Sequence, residues 1–367
     1  MKTNRVKSIN DFGQSIWLDF FDRRIINNGE LQKLINEYGL SGITSNPSIF
    51  EKAITGNADY DRDIRKIARE QKDAETIFLG LAISDIKRAA DMLKPIYEAS
   101  TGTDGFVSLE VSPRLANDTE GTIKQAIQLW EAVDRKNVMI KIPGTVEGLA
   151  AIYECTSEGI NINITLLFGL DRYKDVIEAY ISGLENRIKS GQSINHIASV
   201  ASFFLSRIDV LIDPILKEKG LGELRGEVAI AAAKSAYQIY KSAFQGERFK
   251  RLEEMGAKPQ KVLWASTGTK DPSFSDVKYV EALIGPSTIN TIPMETLLAF
   301  RDHGQAGNRL ENNLDMATRT LQQLKDNGIN IDDITQKLEE EGIEKFNKAY
   351  DALLKAIASK RERVPIN

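Results

Sequence analysis

Short apolar runs closed by turn residues alternate with longer amphipathic stretches along most of the chain. Extended runs stand at 15–20, 41–44, 105–111, 138–142, 160–165, 196–202, 261–266 and 288–292. Between them, apolar residues recur near 3.6 spacing at 29–37, 118–133, 146–156, 170–189, 204–219, 227–255 and 293–301. A run followed by a helix, repeated in order, predicts a parallel sheet wrapped by helices, and eight such units predict an α/β fold of the (β/α)8 TIM-barrel type. An open doubly wound sheet is the rival. It would require a Gly-x-Gly-x-x-Gly turn after an early strand, and Gly13, Gly29, Gly39 and Gly42 do not have that spacing.

A bare barrel takes about 250 residues, whereas this chain has 367. The surplus falls in three places. The stretch 47–103 predicts two or three helices, with 59–70 and 76–98 the clearest; 204–258 predicts at least two, parted at Gly220-Leu221-Gly222; and 304–367 predicts a C-terminal extension of three, one at 343–360, with a frayed charged terminus. No Pro/Ser/Gly linker, repeat or low-complexity tract interrupts the sequence, so 1–367 reads as a single domain.

Composition narrows the classes. The 48 Lys+Arg and 52 Asp+Glu are interspersed, for a net charge of -4, which offers nucleic acid no basic face and a membrane no polybasic arm. Met1-Lys2-Thr3-Asn4-Arg5 leads into charged residues without a signal-peptide core, and no run of 18 apolar residues follows. The expectation is a cytoplasmic protein, compatible with a homo-oligomer. Cys155 is the sole cysteine, and the two histidines, His196 and His303, form no ligand pair, so no metal site or cofactor is expected.

In barrel enzymes the chemistry lies at the carboxyl ends of the strands. Those ends here carry Asp19, Asn46, Glu110, Lys141, Asn163, Thr165, Ser202 and Ser266. Lys141 takes the last inward position of its run, opposite in parity to Val138, Ile140 and Ile142. An amine stripped of hydration is driven towards its neutral form, a nucleophile for carbonyl carbon. Each residue alone has a plainer reading. Lys141 can snorkel to solvent, Asp19 can cap a helix, Glu110 can pair with Arg114, Thr165 can be an ordinary β-branched strand residue, and Asn46-Pro47 can be a turn. A lysine between two strand-end carboxylates is harder to dismiss, because burying such charges without a task is costly. Arg207 after run 6 and Ser266-Thr267-Gly268-Thr269-Lys270 after run 7 suggest phosphate binding by late loops, although Lys270 alone would read as a solvated charge.

Five motifs in order complete the picture: Gly42-Ile43-Thr44-Ser45-Asn46-Pro47-Ser48, Ser108-Leu109-Glu110-Val111, Ile140-Lys141-Ile142-Pro143-Gly144-Thr145, Asn161-Ile162-Asn163-Ile164-Thr165-Leu166-Leu167-Phe168, and Ala201-Ser202-Phe203-Phe204 with Arg207. From about 15 to 303 the chain thereby resembles the transaldolase family. The resemblance implies a Schiff base on Lys141, Asp19 as general base and acid, and Glu110 with Thr165 holding a water and moving protons during imine formation. It implies that Asn46, Asn163 and Ser202 bind the dihydroxyacetone hydroxyls, and that Arg207, Ser266 and a loop cation take the phosphate. A shorter branch has arginine just after the serine of run 7, whereas the nearest cation here is Lys270, which lacks the arginine fork. The implied reaction moves dihydroxyacetone from sedoheptulose 7-phosphate to glyceraldehyde 3-phosphate in the pentose phosphate pathway, with small sugar phosphates as partners. Two rivals remain: a fructose 6-phosphate aldolase using the same lysine, and a non-catalytic sugar-phosphate-binding barrel. Phe204, which lacks a hydroxyl to position water, favours transfer over the first. Intact Asp19, Glu110 and Lys141 speak against the second.

Overall fold

The computed structural model describes residues 4–56, 58–68 and 73–362. Eight parallel strands, β1 (Gln14–Leu18), β2 (Leu40–Ile43), β3 (Phe106–Glu110), β4 (Val138–Pro143), β5 (Ile162–Leu167), β6 (Ser199–Phe204), β7 (Lys261–Ala265) and β8 (Thr288–Ile292), close into a barrel in chain order. β1 completes the ring by pairing with β8. Strand alternation explains β4: Lys141 lines the cleft at the barrel mouth, so Val138, Ile140 and Ile142 face the helices, where all three are fully buried. Each such aliphatic side chain contributes roughly 1.5–3 kcal/mol by leaving water.

Register aligns the chemistry. Glu110 pairs with Lys141, Lys141 with Asn163, and Pro143 with Thr165, so three neighbouring strands end their polar residues at one level. Lower in the barrel the Trp17 indole lies across β2, where a Cβ at Gly42 would stand 2.4 Å from the ring. Glycine is therefore required there, and the indole N–H donates to Asp104 Oδ1 at 2.9 Å.

The first surplus stretch forms three helices, Pro47–Gly56, Asp61–Ala68 and Ala74–Ala99; positions 69 and 70 of the expected 59–70 helix lie outside the described residues. A buried ion pair ties this insertion to the short helix Arg23–Asn27 that follows β1. Arg23 Nε reaches Asp85 Oδ1 at 2.9 Å, and its guanidinium lies 4.3 Å from the Tyr60 ring centroid.

Four expectations need correction. Run 6 begins later and ends later than 196–202, because Ile197 N–H is taken by a turn to Ile194, while Phe203 and Phe204 pair with Trp264 and Ala265 of β7. The helix expected at 204–219 starts at Ser206, beyond the end of that strand. The stretch 227–255 is two helices, Val228–Phe244 and Glu247–Glu254, since the extended backbone at Gly246 folds Phe249 back onto Phe244, with ring centroids 4.8 Å apart. The tail after His303 has two helices among the described residues, Leu314–Asp326 and Ile331–Glu362, instead of three. Gly342 does not break the second of these. It faces the end of β5, where a Cβ would come within 2.9 Å of Leu166 Cδ2. The frayed terminus expected after it falls at 363–367, outside the described residues. This long helix packs against the three inserted helices, β5 and the helix Ser206–Glu218, and so crosses the barrel mouth. None of the described helices is long and apolar enough to span a membrane.

Candidate active site

A cleft of about 570 Å³ opens at the carboxyl ends of the strands. Asp19, Asn46, Lys141, Ser202, Phe204, Arg207, Ser266 and Lys270 all line it. Glu110, Asn163 and Thr165 are buried among the strand ends beside it. The sequence-derived residues thus converge, with Lys270 at the exposed rim.

Lys141 is buried, and its Nζ lies 3.2 Å from Glu110 Oε2 and donates to the Ser45 carbonyl at 3.1 Å. Strand register causes the first contact, and the turn after β2 causes the second. Arg114 is not the partner of Glu110; it pairs with Asp351 at 2.6 Å. Burial pushes the Glu110 carboxyl above the ordinary carboxylate range, against the pull of the Lys141 ammonium. Apart from the ion pair, the buried carboxylate oxygens of Glu110 have no hydrogen-bond partner, and neither has the buried Thr165 hydroxyl. Polar atoms left so in a core are costly unless a bound molecule uses them. The chain is irregular here too: Leu166 and Ser266, directly after Thr165 and β7, adopt φ of 55° and 56°, a left-handed conformation costing of order 1–3 kcal/mol for residues with a Cβ.

Asp19 follows β1 and caps no helix; Asp22 does that, accepting from Arg24 N–H at 2.8 Å. Asp19 instead accepts from Thr44 Oγ1 at 3.2 Å, and Thr44 is steadied by Thr291 Oγ1 at 2.7 Å. Burial raises its carboxyl above the usual value, while Lys141 and the Thr44 hydroxyl oppose the rise. A carboxyl raised towards neutrality can both accept and return a proton. Under the cleft, Ser202 Oγ donates to Asn163 Oδ1 at 2.7 Å, and Asn163 Nδ2 donates to Ser108 Oγ at 2.8 Å. Asn46 does more than turn the chain, since its Oδ1 accepts from Ile49 N–H at 3.0 Å at the start of helix Pro47–Gly56.

The cationic end is built around Arg207, second residue of the helix Ser206–Glu218. Its guanidinium sits 5.3 Å from the Phe204 ring centroid and 5.9 Å from that of Phe346, and one terminal nitrogen is buried without a hydrogen-bond partner. Ser206 and Ser266 share a hydroxyl hydrogen bond of 2.9 Å next to it. A helix N-terminus, a guanidinium and two hydroxyls form a site for an anion. Asp209 fixes this helix by accepting from Ala229 N–H at 2.8 Å and Tyr279 O–H at 2.7 Å.

Burial pushes the Asp209 carboxyl up to about 7. The folded protein therefore holds a proton that the unfolded chain releases nearer 3.8. This group's contribution to stability is greatest below the unfolded value and is lost as pH rises to about 7. Urea midpoints at pH 4.5 and pH 8 should accordingly differ less in Asp209→Asn than in the unsubstituted chain, and an unchanged difference would show that Asp209 does not carry the effect.

Thr291 and Phe346 carry no sequence signal of a place in the site, and Thr44, although part of the first motif, carries none of its contact with Asp19. The two threonines look like ordinary strand residues, and Phe346 looks like one more apolar position of an amphipathic helix.

The family model described as Transaldolase/Fructose-6-phosphate aldolase matches residues 16–357. The chain is 48% identical over 377 residues to a protein named Transaldolase from Trichodesmium erythraeum, covering 99% of each. It is 47% identical to a Transaldolase from Saccharopolyspora erythraea, covering 97% of this chain and 98% of the other. A protein named Transaldolase 2 from Nostoc punctiforme is 46% identical, covering 98% of both.

Proposed function

The chain belongs to the transaldolase/fructose-6-phosphate aldolase family and functions as a transaldolase; we propose that it acts in the cytoplasm, moving dihydroxyacetone from sedoheptulose 7-phosphate to glyceraldehyde 3-phosphate through a Schiff base on Lys141. The observation that carries this reading is the setting of Lys141: buried, 3.2 Å from Glu110, with the unpaired Thr165 hydroxyl two residues along the neighbouring strand from its register partner Asn163.

Lys141 Nζ attacks the ketose C2 carbonyl, and Glu110 with Thr165 moves the protons that turn the carbinolamine into an iminium and water. Asp19 then takes the C4 hydroxyl proton. The C3–C4 bond breaks, its electron pair flows into the iminium, and the aldehyde leaves a three-carbon enamine behind. Attack by enamine C3 on the acceptor aldehyde reverses these steps, with Asp19 returning its proton. Asn46, Asn163 and Ser202 hold the hydroxyls of the three-carbon unit, and Arg207, Ser266 and Lys270 hold the phosphate. The reaction requires no cofactor, because the iminium itself is the electron sink.

The apolar Phe204 supports transfer over release of free dihydroxyacetone, since it offers water no hydroxyl. Fructose 6-phosphate formed from sedoheptulose 7-phosphate plus glyceraldehyde 3-phosphate should exceed dihydroxyacetone released from fructose 6-phosphate alone. The opposite ranking would identify an aldolase. Arg207→Ala should lose a charge-assisted contact of about 1.5–3 kcal/mol, raising KM for phosphorylated donors roughly ten- to hundredfold. Free fructose should be much less affected, and Lys270→Ala should show the same selectivity more weakly. Equal losses on both donors would assign Arg207 to the fold or the chemistry.

A further inference from the structure

Phe346 is 5% exposed and lines the cleft, with its ring centroid 5.9 Å from Lys141 Nζ. It reaches this place from a helix that follows all eight strands in the chain. Leu338, Gly342, Phe346, Tyr350 and Leu353 fall on one face of that helix at i, i+4 and i+3 spacing. Two contacts press this face onto the mouth, one on either side of Phe346. One turn before it, Gly342 lets the backbone approach Leu166 at a distance no larger side chain would allow. One turn after it, Tyr350 packs edge-on against Phe78 at 5.8 Å between centroids, and its hydroxyl donates to Glu75 Oε1 at 2.7 Å. The ring is thus held over the nucleophile.

A phenyl group in that position has two effects on a lysine-bound three-carbon unit. Its face attracts a cation within about 6 Å, which favours the iminium without offering a hydrogen-bonding atom. Its bulk keeps solvent from the neutral enamine that follows. The enamine carbon has two electrophiles open to it. Attack on an aldehyde completes transfer. Capture of a proton from water at C3, followed by hydrolysis of the resulting iminium with one water, releases dihydroxyacetone and frees the lysine. We propose that Phe346 is a specificity-determining residue that closes the mouth over Lys141 and directs the bound three-carbon unit to an aldehyde acceptor instead of to water. The inference rests on the Schiff-base reading above.

Partition of the enamine is the quantity to measure, because donor binding cancels from it. Phe346→Ala should still form a borohydride-reducible adduct with fructose 6-phosphate. With fructose 6-phosphate as donor and erythrose 4-phosphate as acceptor, its ratio of dihydroxyacetone released to sedoheptulose 7-phosphate formed should rise about tenfold. In deuterium oxide the released dihydroxyacetone should carry one deuterium from the protonation at C3. Gly342→Leu, which lifts the helix off Leu166 and leaves Phe346 in the sequence, should raise the ratio in the same direction, and it decides the question if Phe346→Ala does not fold. An unchanged ratio in folded, adduct-forming variants would overturn the proposal. Absence of any adduct from the active unsubstituted chain would instead overturn the Schiff base.

Discussion

Lys141→Met should reduce transfer to background and abolish the covalent adduct that fructose 6-phosphate and borohydride leave on the unsubstituted chain. Methionine keeps most of the lysine volume in a site where Lys141 is only 4% exposed, so the barrel should remain packed. Removing one member of a buried ion pair ordinarily costs about 3–5 kcal/mol because the other charge is stranded. Here the loss should be smaller. Burial already holds the Glu110 carboxyl above its ordinary value, and without the opposing ammonium it is driven further towards the neutral acid. Circular dichroism and a thermal melt establish that the variant is folded; intact mass and peptide mapping locate the adduct. An adduct recovered on a different lysine would move the nucleophile elsewhere.

Asp19→Asn should lose turnover by about 10²–10⁴-fold yet still trap donor at a rate close to that of the unsubstituted chain. Asparagine can still accept the Thr44 hydroxyl hydrogen bond, so the local geometry survives while the proton acceptor for carbon–carbon cleavage does not. Glu110→Gln should give the complementary defect. Its carboxylate faces the amine at 3.2 Å, so its loss slows adduct formation itself. A time course of borohydride trapping separates the two. If both variants trapped donor normally and both kept turnover, the division of labour between cleavage and imine formation would be wrong.

The barrel was legible because its determinants are local. Each strand is a short apolar run with its own turn residues, and each wrapping helix carries its own period. Strand parity alone put Lys141 at the mouth. Elements failed to match where distant packing overrode local signals. Gly246 divides a helix-like stretch because Phe249 finds Phe244, whereas Gly342, an equal local breaker, is absorbed because Leu166 needs the space. The same distinction applies to the site. Glu110, Asn163 and Thr165 were readable because they are polar residues on apolar strands that run in register with β4. Their hydrogen-bond and ion partners were not: Glu110 lies near Arg114 in sequence but meets Lys141, and Thr44 meets Thr291 from across the barrel seam. Phe346 has no sequence signal at all, since helical periodicity marks it as buried without saying against what.

The placement of the mouth-crossing helix after β8 also orders the protein's biosynthesis. On the ribosome, every strand, the lysine, both carboxyls and Arg207 are made before residues 331–362. A chain interrupted near residue 330 would therefore carry the reactive groups under an open mouth, with Phe78 stripped of its Tyr350 cover. Such a fragment would lack the Phe346 wall of the cleft and bare the apolar surface around Phe78, the kind of surface that quality-control proteases read, so the same segment shapes the site and conceals the core.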